Sequence, residues 1–291
     1  MTSSSVRDLA RRGRRRLRRA RARWETRSLS QRERATSKPL IGDAPVVVSL
    51  TSYGTRIDSV HVTIESIARG AVRPARIVLW LDSADAMANL PEALERQKAR
   101  GLEVRLAENY GPHTKYFPFV QADDLSGPLV TADDDILYPR HWLAGLMDAH
   151  TRHPDAITGY WVRTMRLGDS GIPTGYASWP SASDTLPHPR NVPLGVSGVI
   201  YPPRMLERLR ELGEAFVPLV PSTDDLWLHA VALRAGIEVR QLNSRPVHFL
   251  TVPGSQQLSL AATNVSGSGN DRAVARLYTR GDLQLIEGLV G

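Results

Sequence analysis

The sequence predicts an α/β domain of the doubly wound type, and three observations predict it. Two aliphatic runs, Ala44–Leu50 (APVVVSL) and Arg76–Leu81 (RIVLWL), read as parallel strands buried on both faces. Segments with helical apolar spacing alternate with them, so the opening order is β-α-β-α-β. Acid-rich stretches fall at strand ends: Asp82 after the second strand, and Asp133-Asp134-Asp135 after Leu129–Ala132. In open α/β sheets ligands bind at the carboxyl ends of strands.

The chain opens on an arm. Residues 1–40 carry 14 Lys+Arg and 3 Asp+Glu, whereas the other 251 residues carry 23 basic and 27 acidic groups. The net charge of +7 therefore belongs to the arm, and the mildly acidic remainder is not expected to bind nucleic acid. Residues 7–27 (RDLARRGRRRLRRARARWETR) hold eleven arginines, and no apolar stretch follows of the kind a secretory signal needs. An organellar transit segment and an RNA-binding tail are alternatives. The favoured reading is a helix on an anionic membrane surface, with Leu9, Leu17 and Trp24 about two turns apart. No run of ~18 apolar residues occurs, so no span is expected. The chain is expected in the cytoplasm, peripheral to the inner face of the plasma membrane.

After the first strand comes the loop Thr51-Ser52-Tyr53-Gly54. Val60–Arg69 reads as a helix with Val60, Ile64 and Ile67 on one face, stopped by Gly70. Pro91–Arg100 opens with proline and closes at Gly101, as helices do. Glu103–Leu106 and Leu129–Ala132 are the third and fourth strands. Pro139–His150 is a helix whose apolar set is Trp142, Leu143, Leu146 and Met147. Residues 166–195, with five prolines and four glycines, read as a long functional or mobile loop. Val196–Tyr201 reads as a strand, Pro203–Leu212 as a helix and Leu226–Ala235 as an amphipathic helix. Ser222 and Thr223 before that last helix are suited to capping it. Residues 253–270 read as loop, and a helix including Arg272–Leu277 closes the chain.

Composition excludes other classes. Hydrophobic residues make up 42% and charged residues 23% of the 291, which is globular. The absence of cysteine excludes a disulfide scaffold, Cys-ligated zinc or iron–sulfur and a Cys nucleophile. Neither G-x-G-x-x-G nor a P-loop occurs.

The carboxylates carry the chemistry. On an extended segment Asp133 and Asp135 would share a face, with Asp134 on the other. Two such carboxylates repel unless a cation sits between them, and a hard divalent ion, Mg²⁺ or Mn²⁺, meets that need while leaving positions for phosphate oxygens. The alternative is an acidic turn or helix cap. Lys115, one of only three lysines, would supply a second cation near a diphosphate. His113 is a candidate phosphate contact. Trp80 and Trp142 read as core, and Trp161 and Trp179 as sugar-stacking or packing residues.

The segments VVVSLTSYGTRI, IVLWLDS, GPHTKY, LVTADDDILYP, LGVSGVIYPP and STDDLWLHAVALRAG resemble the nucleotide-sugar glycosyltransferases of the GT-A fold, family 2-type enzymes of bacterial surface-polysaccharide synthesis. The resemblance covers about residues 44–250. It implies a GT-A-like mixed sheet with helices on both faces and a single catalytic domain. The arm would be 1–40, the catalytic domain 41–252 with a nucleotide half 41–150 and an acceptor half 151–252, and a tail 253–291. The implied activity is metal-dependent, inverting transfer of a hexose from a nucleoside diphosphate sugar to a saccharide or lipid-linked hydroxyl acceptor. Asp133, Asp135 and His248 would hold the metal. Thr51, Ser52, Tyr53, Arg56, Asp82, Lys115 and Asp134 would hold the nucleotide. Asp225 would be the general base, kept ionised by its place at a helix start, with Asp224 standing where the family has Glu. A second class, the sugar-phosphate nucleotidyltransferases, shares the α/β base and metal-binding acid but opens with G-x-G-x-R after strand one, where this chain has Thr51-Ser52-Tyr53-Gly54-Thr55-Arg56. A third reading is a non-enzymatic membrane- or RNA-binding protein acting through the arm.

Overall fold

A computed structural model describes residues 3–255 and 269–288, with side chains from residue 12. The chain starts with a long helix, α1 (Ser3–Ala35), followed by β1 (Ala44–Ser52), α2 (Ile57–Ala68), β2 (Pro74–Leu81), α3 (Ala84–Ala88), α4 (Glu92–Lys98) and β3 (Leu102–Leu106). Next come α5 (Phe117–Ala122), β4 (Leu129–Thr131), β5 (Ile136–Leu137), α6 (Trp142–Arg152), β6 (Ile157–Gly159) and β7 (Val162–Thr164). β8 (Asn191–Pro193), β9 (Val199–Tyr201), α7 (Pro203–Leu212), α8 (Asp224–Arg234), β10 (Val239–Gln241) and β11 (Leu250–Thr251) follow, and α9 (Gly269–Leu277) and α10 (Arg280–Gly288) complete the described elements.

Seven strands form one mixed sheet in the order β10-β6-β9-β4-β1-β2-β3. β1 pairs in parallel with β2 and β4, and β2 with β3. β9 runs antiparallel to both of its neighbours, β4 and β6. The fold is the expected α/β mixed sheet with helices on both faces. The alternation within the strands explains it. Val46, Val48 and Leu50 of β1 and Ile77, Leu79 and Leu81 of β2 face one core with Val60, Ile64 and Ile67 of α2 and Leu143 and Leu146 of α6. Val78 and Trp80 face the other core with Phe119 and Val120 of α5, Leu206 and Leu209 of α7 and Leu226 of α8.

Three elements depart from the sequence expectation. The arm is not separate from the domain: the C-terminal half of α1 lies over α2 and α4, burying Ala22, Leu29 and Glu33. Burial of a leucine such as Leu29 contributes about 1.5–3 kcal/mol. Glu33 pairs with Arg96 at 2.8 Å, Glu25 with Arg69, and Arg32 reaches the fully buried Glu65 at 2.8 Å, which Arg100 also holds at 2.8 Å. Secondly, α8 is not amphipathic. Leu226 to Ala232 are all buried, because α9 and α10 cover its outer side through His229–Tyr278 and Arg234–Asp282. Thirdly, the 166–195 segment is not all loop: β8 pairs with β7, and Tyr176–Ser178 forms a 3₁₀ turn. Most of the loop expected at 253–270 lies outside the described residues. Among the described residues no helix is long and apolar enough to cross a membrane.

Candidate active site

The parallel strands β1, β2 and β4 end at one edge, and their ends line a cleft of about 520 Å³. Thr51, Tyr53 and Arg56 enter it from the end of β1, Asp82 from β2 and Asp133–Asp135 from β4. Thr223, Asp224 and Asp225 at the start of α8 close the other side, with Lys115, Tyr176, Gly195 and Asn270. The sheet topology thus gathers most of the residues singled out in the sequence.

The acidic triplet is a turn and not an extended segment, so the alternation expected of it does not hold. Arg56 Nη2 bridges Asp134 Oδ1 at 2.9 Å and Asp135 Oδ2 at 2.8 Å. Gly54, at φ +54°, turns the chain so that the short 3₁₀ segment Gly54–Arg56 delivers this guanidinium. Ser52 does not line the cleft: it is buried behind it and donates to Asp134 Oδ2 at 2.6 Å. Burial pushes the Asp134 carboxyl up to about 6, against the opposing pull of Arg56 and Ser52.

Asp133 turns to a different cation. Lys115 Nζ lies 2.9 Å from Asp133 Oδ1 and 3.2 Å from Asp224 Oδ2. Burial would lower the lysine, but Asp133, Asp224 and Asp225 outweigh it and hold the ammonium above its ordinary range. Lys115 is therefore a buried, fully charged link between the β4 turn and α8. Gly195 makes room for it: a Cβ there would sit 3.1 Å from Lys115 Nζ and 3.4 Å from Asp225 Oδ1.

For Asp225, burial works against the ionisation expected at a helix start: its carboxyl is pushed well above the usual carboxylate range, first by burial and then by Asp224. Its Oδ1 accepts the Gly195 N–H at 2.9 Å and so ties α8 to the segment before β9. Thr223 takes the N-cap position without a side-chain hydrogen bond to the helix.

The three predicted metal ligands do not converge. His248 is not a cleft residue; it stands edge-on to Trp161 at 4.1 Å, and burial lowers its pKa. Asp133 and Asp135 face different cations, and among the described residues no group of three or more His, Asp or Glu side chains is arranged to hold a metal ion. His113 is no surface contact either. It is buried, stacked on Phe216 at 4.1 Å and bonded to Tyr116 and Val220, with its pKa pushed down to about 4 by burial. Trp179 is core. Tyr176, Gly195 and Asn270 were not anticipated: the first two lie in the proline-rich segment read as functional or mobile, and Asn270 carried no signal.

No protein-family model matches the chain. A stretch of 149 aligned residues, 45% of this chain, is 30% identical to the bifunctional protein GlmU of Corynebacterium glutamicum strain R and covers 29% of it. GlmU of C. glutamicum ATCC 13032 matches at the same identity and length. The aligned stretch spans under a third of the length of these curated relatives. Among solved structures, 4-diphosphocytidyl-2C-methyl-D-erythritol synthase from Anaerococcus prevotii aligns with 85% of this chain and 98% of its own at a TM-score of 0.46 and 12% identity.

The sequence relatives overturn the family read from the motifs. The similarity runs to GlmU, of the nucleotidyltransferase class, and not to the family 2-type glycosyltransferases. The hexosyl transfer, surface-polysaccharide role and nucleoside diphosphate sugar donor inferred with that family fall with it. Both classes place acids at the strand ends of a parallel α/β half, so those motifs do not separate them.

Proposed function

We propose that the chain transfers a nucleotidyl group from a nucleoside triphosphate to a sugar phosphate, releasing pyrophosphate. The observation that carries this reading is the pair of cations seated among the cleft aspartates: Arg56 across Asp134 and Asp135, and Lys115 between Asp133 and Asp224. The 30% identity to GlmU over 149 residues supports the reaction class. The first loop also keeps, in Gly54-Thr55-Arg56, the closing G-x-R of the glycine-rich pattern.

In such a reaction an oxygen of the sugar phosphate forms a bond to the α-phosphorus. The bond from that phosphorus to the bridging oxygen breaks, and pyrophosphate leaves with the electron pair. The attacking oxygen is already anionic at neutral pH, so the step asks for positioning and charge neutralisation more than for a proton acceptor. Arg56 offers a planar fork and Lys115 a point charge for phosphate oxygens. Thr51, Tyr53 and Asp82 face the nucleoside portion. Asp225, an acid raised above its ordinary range and bonded to Gly195, holds α8 in place. Asp133 and Asp135 face different cations, so one of these hard oxygen donors, and not the pair, would hold Mg²⁺ or Mn²⁺ together with phosphate oxygens. When bound, the ion supplies Lewis-acid neutralisation of phosphate charge. The test is pyrophosphate release from UTP or CTP with a panel of sugar 1-phosphates. Release that depends on both substrates is expected; none with any pair would overturn the reading.

A partner surface accompanies this activity. Leu17 and Trp24 of α1 are 73% and 66% exposed, seven residues apart on one helical face, amid exposed arginines. The apolar pair favours an anionic lipid surface over nucleic acid. Binding to phosphatidylserine vesicles that weakens with salt and blue-shifts tryptophan emission is expected. Equal binding by Leu17→Ser/Trp24→Ser would count against it.

A further inference from the structure

Asn270, near the start of α9, is 6% exposed and lines the cleft, and its Oδ1 has no hydrogen-bond partner among the described residues. Buried amide groups are ordinarily paired, and leaving one unpaired is costly. Asn191 of the same molecule shows the structural use of this side chain. Its Nδ2 donates to Leu186 O and Val239 O, and its Oδ1 accepts from Thr164. The helix that carries Asn270 is anchored, because Ala273, Val274 and Leu277 are buried in the core shared with α8. Its neighbour Asp271 accepts the Tyr176 N–H at 2.6 Å, which sets Tyr176 beside it in the cleft wall. The Tyr176 hydroxyl is raised by burial first and then by Asp225 and Asp224, so this wall borders the α8 end of the cleft.

We propose that Asn270 is the residue that recognises the sugar portion of the substrate, its Oδ1 accepting a hydrogen bond from a ring or exocyclic hydroxyl of a hexose phosphate. The inference rests on the nucleotidyl-transfer reading and deepens it. An unpaired carbonyl oxygen accepts and does not donate. It therefore selects a hydroxyl and turns away an unprotonated phosphate oxygen. Arg56 and Lys115 serve the phosphates, so the two halves of a sugar phosphate have distinct partners. The sequence-based division at residue 252 leaves this residue outside the catalytic domain; α9 brings it back by packing on α8.

The test is Asn270→Ala in the full chain. For the hexose 1-phosphate turned over best, KM should rise about tenfold, which corresponds to about 1.4 kcal/mol, with KM for the nucleoside triphosphate unchanged. The melting temperature should not fall, because the removed oxygen had no partner to lose. A lowered melting temperature with both KM values moved together would make Asn270 a structural residue and overturn the proposal. Should the wild type release no pyrophosphate, that result strikes the nucleotidyl-transfer reading alone. Thermal protection then decides the inference, with glucose, galactose, mannose and glucosamine 1-phosphates compared with inorganic phosphate. Protection by at least one hexose phosphate beyond inorganic phosphate, lost in Asn270→Ala, sustains it. Protection no greater than that of inorganic phosphate, or retained in the variant, overturns it.

Discussion

In the cleft, Lys115 and Arg56 sit among six aspartates, and Asp133, Asp134, Asp135, Asp224 and Asp225 each have a cationic or backbone N–H partner within 3.2 Å. Along residues 12–21 of α1, seven arginines face solvent in a segment without a single acid. The difference teaches where charge acts through geometry and where it acts through sum. Inside the cleft the low local dielectric makes each charge depend on its partner, and the Asp134 and Asp225 carboxyls respond by rising in pKa. On the outer half of α1 water and salt screen each charge over about 8–10 Å, so only the total matters. The inner half of α1, where Glu33 and Leu29 are buried, belongs with the cleft in this respect.

The largest effect is expected at the inner half. Glu65→Gln leaves Arg100 and Arg32 facing a neutral group in a fully buried place. Breaking such a pair costs about 3–5 kcal/mol, to be read as a fall in the urea midpoint with the slope unchanged. An unaltered midpoint would show that α1 docks by apolar contact alone. In the cleft, Lys115→Met keeps the stem and removes the charge. Pyrophosphate release should fall about 10²–10³-fold, as when an electrostatic contact to the transition state is lost. Lys115→Arg should restore it only in part, since a planar fork replaces the point charge that Asp133 and Asp224 share. Normal turnover in Lys115→Met would remove the observation on which the functional reading stands.

A smaller effect concerns pH. The Asp134 carboxyl is pushed up to about 6 in the fold. Between about pH 4 and 6 the folded chain therefore binds a proton that the unfolded chain has released. This contribution is complete at lower pH and is lost as pH rises through 6, with a slope of at most about 1.4 kcal/mol per unit. The unfolding free energy of the wild type minus that of Asp134→Asn should therefore decline over that window. A flat difference would mean that Arg56 keeps Asp134 ionised. The smallest effect is expected from deleting residues 1–20: unfolding free energy should change by no more than about 0.5 kcal/mol and turnover should be unchanged, measured by urea melts and pyrophosphate release. A large loss in either would erase the contrast between the two halves of α1.

Much of this molecule is written in local pattern. The runs APVVVSL and RIVLWL alternate over two cores, so strands buried on both faces and an α/β sheet follow from hydrophobicity and the period of a strand alone. Asp82 and Asp133–Asp135 reach the cleft because a parallel sheet sends its strand ends to one edge. The reaction class was not legible, because acids at strand ends serve several chemistries and the loop that separates them departs from a strict pattern at its first glycine.

What the sequence determined by itself, then, was the sheet, its ligand-bearing edge and the carboxylates placed there, since these follow from spacing along the chain. What only the tertiary structure decided was which charges meet. Lys115 lies 109 residues from Asp224 in sequence and 3.2 Å from it in space, and the two acids expected on one metal go to different cations, Asp135 to Arg56 and Asp133 to Lys115. Asp225 is raised by burial although its sequence position favours ionisation, and Asn270 enters the cleft because α9 packs on α8. Propensity and periodicity are local properties of a chain. Desolvation and the choice of a counter-charge depend on neighbours that only folding brings within a few ångströms.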